Sequence, residues 1–218
     1  MVITRVADRH WHALDDDRVV GRGYAEHRPD RPAEAMVAEL TACRRRAGFA
    51  IRRREWEYAV PTDPRITGLE ETLPPSGVTI LPAGQADEGL LRAVDRAIRD
   101  EVEATAGWRS MPAEVIPHPE DDTVIDPSKY AVAAAPDRYL GLIRVVTVNR
   151  PRIGLLAVRT TEQRRGIARA LLAHALGTLH RAGFTEALAE VQELNHAATA
   201  LFEDIGARPM NGNLELVR

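Results

Sequence analysis

Six consecutive residues combine the groups that bind an anion: Gln163-Arg164-Arg165-Gly166-Ile167-Ala168. They lie between an apolar strand predicted over Ile153 to Val158 and an apolar helix predicted to start near Arg169. A helix start directs unpaired N–H groups and the positive end of the helix dipole at one point. Gly166 permits unusual backbone dihedrals, and Ala168 keeps the first helical turn narrow. The segment therefore predicts a backbone cradle for phosphate, with arginines adding positive charge.

Two better-known phosphate motifs do not fit this segment. No Lys-Ser or Lys-Thr pair follows Gly166, which excludes a P-loop, and no G-x-G-x-x-G follows a predicted strand. Taken alone, the six residues are also compatible with an arginine-rich turn that has no ligand. The residues on either side favour the phosphate cradle.

A second pattern follows about twenty residues later. Ala189-Glu190-Val191 ends a predicted strand, Asn195 opens a predicted helix, and Ala198, Leu201, Phe202 and Gly206 follow. Together the two patterns resemble the GNAT superfamily of acyl-CoA-dependent N-acyltransferases, with its Q/R-x-x-G-x-G/A loop and N-x-x-A-x-x-L-[YF]-x-x-x-G signature. The resemblance covers about residues 77 to 218 and follows the order of that superfamily.

The resemblance implies an α/β (α+β) fold, with a mixed central sheet flanked by helices, and acetyl-CoA as co-substrate. The loop residues and Arg169 would bind the pyrophosphate of coenzyme A. Backbone groups of Leu156, Ala157 and Val158 would hold the pantetheine arm, and the next strand would diverge to make room for the thioester. Asn195 and Phe202 would also contact coenzyme A, although Asn195 could serve only as a helix cap. No metal is implied.

For the chemistry, the resemblance makes Glu190 the candidate general base, because relatives carry a base in the same E-V-x-x-x-N setting. The alternative is a strand-end carboxylate paired with an arginine. The superfamily's frequent acidic tyrosine falls on Phe202, which has no proton to give. Water could protonate the thiolate, or the thiolate could leave unaided, since a thiol pKa lies near 8.5. The acidic run Glu120-Asp121-Asp122 is either part of an acceptor pocket or a solvated loop.

Composition indicates a folded protein with one or two domains. The chain has 218 residues, 44% hydrophobic and 28% charged, with a net charge of −3 and one cysteine, Cys43. No apolar run approaches the ~20 residues of a membrane span, and the first residues lack the apolar core of a signal peptide. We expect a cytoplasmic protein that binds neither nucleic acid nor membrane, as a monomer or homodimer.

A weak internal repeat suggests a duplication. Asp17 to Gly21 resembles Asp137 to Gly141, and Leu40 to Val60 resembles Ala198 to Arg218. Gly21 and Gly48 are 27 positions apart, whereas their counterparts at 141 and 206 are 65 apart. The first copy therefore lacks the length of the central strand, phosphate loop, helix and next strand. We predict a degenerate, truncated GNAT-like module at residues 1–76 and a GNAT acetyltransferase domain at 77–218.

Hydrophobic periodicity and turn residues predict the elements of the second domain. In chain order they are a strand at 78–81, a helix at 86–105, a hairpin of 130–135 with 139–148, the central strand, a helix at 169–182, a strand at 187–191, a helix at 195–205 and a final strand pair around 207–210 and 213–217.

The predicted function is N-acyl transfer, from acetyl-CoA to a primary amine, by direct attack in a ternary complex. The acceptor is open: a small amine, an amino acid, an antibiotic or a protein N-terminus. The alternative is a non-catalytic acyl-CoA-binding sensor, which Phe202 makes plausible. Turnover of acetyl-CoA with a panel of amines would separate the two.

Overall fold

A computed structural model describes residues 2–7, 10–15, 18–24, 41–105, 125–147 and 150–217 of the chain. The acidic run at 120–122 lies outside the described residues. The chain divides into two compact units: Met1–Trp56 with Asn211–Arg218, and Glu57–Met210. Along the sequence, strands β4 (Ala50–Pro61) and β10 (Arg208–Val217) each contribute residues to both units.

The second unit contains a mixed sheet with helices. Its strands run in the order β4-β9-β8-β7-β6-β5, with β8 parallel to β9 and with β5 to β8 paired antiparallel. The strands that lie wholly in it are β5 (Thr79–Leu81), β6 (Tyr130–Ala134), β7 (Tyr139–Thr147), β8 (Pro151–Val158) and β9 (Glu186–Gln192). Its helices are α2 (Pro64–Thr67), α3 (Glu88–Thr105), α4 (Ile167–Arg181) and α5 (His196–Asp204). The predicted mixed α/β architecture is confirmed.

Alternating side chains give this sheet two apolar faces. Tyr130 and Val132 are buried with Leu91, Val94 and Ile98, which form the predicted apolar stripe of α3. The alternate residues of the same strand are buried on the other face, against α4 and α5. A period of two along the strands therefore places one core under each helical layer.

The first unit contains an antiparallel sheet. Its strands run in the order β3-β2-β1-β10, where β1 is Val2–Ala7, β2 is His10–Asp15 and β3 is Arg18–Tyr24. Residues 41–46 are helical and form α1. Strand β4 begins four residues after them.

The two hairpins that the sequence repeat aligns have the same register. In the β2–β3 hairpin Ala13 is opposite Gly21, and the register then shifts before the turn. In the β6–β7 hairpin Ala133 is opposite Gly141, and the register shifts at the same place. The aligned glycines therefore occupy equivalent backbone positions in their own hairpins.

The second part of the repeat aligns two helix ends with the same hydrogen bonds. Gly48 N–H donates to the Arg45 carbonyl at 3.0 Å, and Gly206 N–H donates to the Glu203 carbonyl at 3.0 Å. Both glycines have a left-handed φ, +88° and +79°, which favours glycine at a helix end. In each case a strand begins two residues later.

The helix after the loop and the C-terminal strand differ from the prediction. Helix α4 begins at Ile167 and not near Arg169, because Gly166 takes the capping position. The final strand pair is wrong, since Arg208–Val217 is one continuous strand. The turn-like Asn-Gly pair in it stays extended. The strand lies between β1 and β4 in the sheet, and pairing there favours an extended backbone.

Within the described part of the chain, no helix has the length and apolar character to cross a bilayer. The cytoplasmic location stays a prediction.

The core of the second unit includes residues that precede position 77. Tyr58, Val60 and Leu69 are 3%, 0% and 4% exposed and pack in the core beneath α4 and α5. The domain boundary at 76/77 stays a prediction, but residues 57–69 are part of this unit's core.

We therefore predict that Val60→Ala lowers the free energy of unfolding by about 2 kcal/mol, since it removes two methyl groups and leaves a cavity. Leu73→Ala is the control, because Leu73 is 82% exposed. Chemical denaturation of both variants checks this. Equal stability of the Val60 variant and the unaltered protein would contradict it.

Candidate functional site

The parallel strands β8 and β9 run together for only two paired positions. Arg152 is opposite Leu188 and Ile153 is opposite Ala189. Both strands lie wholly within the described residues, and no pairing between them continues beyond these positions although β8 runs on to Val158. The sheet therefore opens between its two central strands, as the resemblance implies.

An extra residue in β8 coincides with the opening. Arg144 of β7 is opposite Leu155, whereas the next residue, Val145, is opposite Ile153, so Gly154 has no counterpart on β7. An inserted residue of this kind bends its strand and increases the local twist. The bulge gives a physical reason for β8 to turn away from β9.

Strand β8 stays bound to β7 along the open part. Gly141 is opposite Val158, and a Cβ on Gly141 would lie 2.8 Å from the Ala157 carbonyl oxygen. Any larger residue would push β8 outward at that point. Leu156, Ala157 and Val158, which we predict hold the pantetheine arm, are half-buried here.

A tight loop connects β8 to α4. Thr160–Glu162 forms a 3-10 turn, and the Gln163 side chain donates to the Val158 carbonyl at 3.2 Å. Arg164 and Gly166 then adopt left-handed φ values of +62° and +85°. A Cβ built on Gly166 would meet nothing within 4 Å, so the space in front of the helix start is open.

Gly166 is the N-cap of α4. Glycine has no side chain, so it cannot accept hydrogen bonds from the first N–H groups of the helix, as Ser or Asp would. The predicted cradle residues Ile167, Ala168 and Arg169 are therefore the first turn of a helix whose open N-terminus suits an anion.

Carboxylates engage most of the arginines around this loop. Glu162 pairs with Arg165 and also lies 3.6 Å from Arg138. Arg169 pairs with Asp204 at the end of α5. The arginines therefore restrain the loop through ion pairs in addition to giving it positive charge.

A carboxylate on α3 holds the start of the loop. Glu101 Oε1 accepts from Arg159 Nε at 2.5 Å, and Oε2 accepts from Thr160 N and Oγ1 at 2.7 and 2.9 Å. Burial acts to raise the pKa of Glu101, but the hydrogen bonds from Thr160 and Arg159 outweigh it, so the pKa lies below 4.5.

Glu190, the candidate base, lies where β8 and β9 part. Its neighbour Ala189 is buried on the α4–α5 face, so Glu190 projects to the α3 face. Arg152 Nη2 lies 2.5 Å from Glu190 Oε1, and Arg152 Nη1 lies 4.0 Å from Glu57 Oε1. The predicted base thus belongs to a charged cluster that includes Glu57 and Arg152.

Asn195 and Phe202 have clear structural roles. Asn195 is the N-cap of α5, and its Oδ1 accepts from Ala198 N at 3.1 Å, as predicted for a cap. Phe202 is 4% exposed and stacks on Tyr58 with ring centroids 6.3 Å apart. Burial, and then Glu203, raise the pKa of the Tyr58 phenol, which hydrogen-bonds Glu203. Contact of Asn195 or Phe202 with coenzyme A stays a prediction.

Among the described residues, no three His, Cys, Asp or Glu side chains are grouped to hold a metal ion.

The sequence reasoning missed Glu57, Arg152 and Glu101 at this site. Their partners are distant in sequence: Arg152 and Glu190 are 38 positions apart, and Glu101 and Arg159 are 58 positions apart. Local patterns carry no signal for such pairs.

The sequence profile of the Acetyltransferase (GNAT) family matches residues 96–207, just over half of the chain. The protein therefore belongs to the GNAT family. A search of curated proteins gave no significant match.

Solved structures share the fold. A GCN5-related N-acetyltransferase from Sphaerobacter thermophilus has 21% identity and a TM-score of 0.57 over 81% of this chain and 55% of its own. One from Kribbella flavida has 16% identity and a TM-score of 0.51, over 81% and 62%. The glucosamine N-acetyltransferase region of a fungal multi-domain GH3 β-N-acetylglucosaminidase has 14% identity and a TM-score of 0.56. The match covers 89% of this chain and 25% of that protein. Our chain thus spans about half the length of the Sphaerobacter structure, and these likenesses concern the fold alone.

The lowered pKa of Glu101 predicts a pH-dependent contribution to stability. Its ionised form makes the bonds, so the contribution is present above the ordinary pKa of 4.5 and is lost as pH falls through the lowered pKa. Thermal melts of the unaltered protein and of Glu101→Gln should therefore differ most above pH 4.5 and converge in acid. A difference in melting temperature that does not change with pH would contradict this.

Proposed function

We propose that this protein is an acyl-CoA-dependent N-acyltransferase that transfers acetyl from acetyl-CoA to a primary amine. One observation carries the proposal: β8 and β9 part beside the open N-terminus of α4. The opening suits a pantetheine arm, and the helix start suits a pyrophosphate. Membership of the GNAT family supports the same function.

The backbone would do most of the binding. Ile167, Ala168 and Arg169 would donate N–H groups to the pyrophosphate. Beyond Ile153, β8 pairs with β7 but not with β9, so those backbone groups of the segment Leu156, Ala157 and Val158 that face away from β7 are available to the amides of pantetheine. The same N–H groups would stabilise the oxyanion that forms on the thioester carbonyl.

Glu190 would act as the general base. The amine nitrogen attacks the thioester carbon, a C–N bond forms, the C–S bond breaks, and the coenzyme leaves as a thiolate. The proton lost by the amine passes to the Glu190 carboxylate, directly or through water. Arg152 would orient that carboxylate, and Glu57 lies beside the same guanidinium.

A non-catalytic acyl-CoA-binding protein is the second candidate. Two observations favour it: Phe202 is buried where the superfamily often has a tyrosine, and Glu190 is already paired with Arg152. Both candidates require coenzyme A binding, and only the enzyme consumes acetyl-CoA in the presence of an amine.

We further propose that the part of the chain before residue 77 is a truncated copy of the second domain. The matching hairpin registers and the matching helix ends support this interpretation. The segment missing from the first copy corresponds to the one that carries the phosphate loop, so we expect one coenzyme A site per chain.

Gly166→Glu tests the cofactor site. A carboxylate in front of the helix start would occupy the phosphate position and repel the phosphates, so coenzyme A should no longer raise the melting temperature. Gly183→Glu is the matched control, since Gly183 follows the other end of α4 with a similar φ of +88° and equally open space. The control should keep the shift. A full shift in the Gly166 variant would exclude the site.

Glu190→Gln tests the chemistry. Removal of the base should lower kcat/KM by ~10²-fold or more at neutral pH, and the deficit should shrink as pH approaches the pKa of the acceptor amine. Glu186→Gln is the control, because Glu186 lies on the same strand and also pairs with an arginine, Arg208, at 3.3 Å. Full activity of the Glu190 variant across the pH range would mean that the residue is structural.

A further inference from the structure

We propose that Glu101 of α3 is a positioning residue for the coenzyme A phosphate loop. Its two carboxylate oxygens accept three hydrogen bonds, from the Arg159 guanidinium, the Thr160 N–H and the Thr160 hydroxyl, at 2.5, 2.7 and 2.9 Å. All three donors lie where β8 ends and the loop begins. The inference rests on the proposed function, because it assigns a role in binding that co-substrate.

The 3-10 turn at Thr160–Glu162 needs an acceptor that its own N-cap residue cannot supply. The first N–H groups of any helical turn have no partner within the turn. The N-cap residue is Arg159, whose side chain carries only donors. Glu101 therefore caps this turn from another helix, 59 residues earlier in the chain, and binds the Arg159 side chain with its other oxygen.

The cap is close enough to the cradle to fix its shape. Gly166 is six positions after Thr160, and between them Gln163 binds back to Val158 while Arg164 takes a left-handed φ of +62°. A non-glycine residue in that region is strained, so its surroundings must hold it. Glu162 adds the second restraint through Arg165 and Arg138. Release of Thr160 would remove the restraint at the β8 end of the loop.

The burial and ionisation of Glu101 agree with this role. Its side chain is 23% exposed, and that of Arg159 is 32% exposed, so water screens the pair only in part. Burial opposes ionisation, yet the Thr160 and Arg159 hydrogen bonds hold the pKa of Glu101 below its ordinary value, so the cap is charged at neutral pH. A charged acceptor makes stronger hydrogen bonds than a neutral one.

Calorimetric titration with coenzyme A tests the role. Glu101→Gln should weaken the Kd for coenzyme A by about 10-fold, the size expected for hydrogen bonds to a charged group. Thr160→Val removes one of the three donors and should weaken coenzyme A binding by about 2- to 3-fold. This variant tests the role even if the Glu101 variant does not fold. With an amine that the protein acetylates, the KM of each variant for acetyl-CoA should rise by the same factor as its Kd for coenzyme A, while kcat should stay unchanged.

Glu88→Gln is the matched control. Glu88 lies on the same helix, is exposed and pairs with Arg92 at 2.7 Å, so the variant makes the same change of charge without touching the loop. It should keep the Kd of the unaltered protein. If Glu101→Gln and Thr160→Val melt at lower temperature but bind coenzyme A as tightly as the control, Glu101 is structural and the inference is wrong. If the unaltered protein does not bind coenzyme A, the proposed function itself fails.

Discussion

The separation of β8 from β9 is the constraint on which the rest of the site depends. A parallel pair normally satisfies backbone donors and acceptors along its length, and here the pairing stops after Ile153 and Ala189. Backbone groups beyond that point need other partners, because unpaired buried N–H and C=O groups are costly. The extra residue Gly154 starts the separation, and close contact of Gly141 with Ala157 keeps the other edge of β8 on β7. The opening is thus part of the sheet itself and does not depend on a mobile loop.

Acidic residues hold and partly neutralise the arginines of the loop between β8 and α4. Glu101, Glu162 and Asp204 each engage arginines at or beside the loop, so the arginines are held in place and partly neutralised. The attraction for an anion then depends more on oriented N–H groups at the start of α4 than on the number of arginines. The proposed anion site is therefore compatible with a chain of net charge −3.

Local features of the fold were predictable from the sequence, whereas features formed by distant residues were not. The turn between β8 and α4, the α3 stripe, the Asn195 cap and the hairpin at 130–147 each depend on residues close together in sequence. Arg152 and Glu101 gave no such signal, because their roles arise only when strands pair or a helix packs against a loop. The continuous β10 was missed for a related reason: its neighbours in the sheet, β1 and β4, are distant in sequence, and pairing with them keeps a turn-like local sequence extended.

In the proposed duplication, the hairpin and the helix end occur in both copies, whereas the loop expected to bind coenzyme A occurs only in the second. The hairpin registers at Gly21 and Gly141 agree, and so do the helix ends at Gly48 and Gly206, and these features need only local backbone geometry. The open strand pair and the phosphate loop belong to the stretch that the first copy lacks. A copy reduced in this way has too few elements to complete a core of its own. The residues at 57–69 fit this view, since they are buried in the core of the second unit, where Tyr58 stacks on the same Phe202 that replaces the superfamily's tyrosine. In this proposal coenzyme A binding would depend on the second copy, and the first copy would contribute Tyr58 and Val60 to the core and Glu57 to the cluster around Arg152.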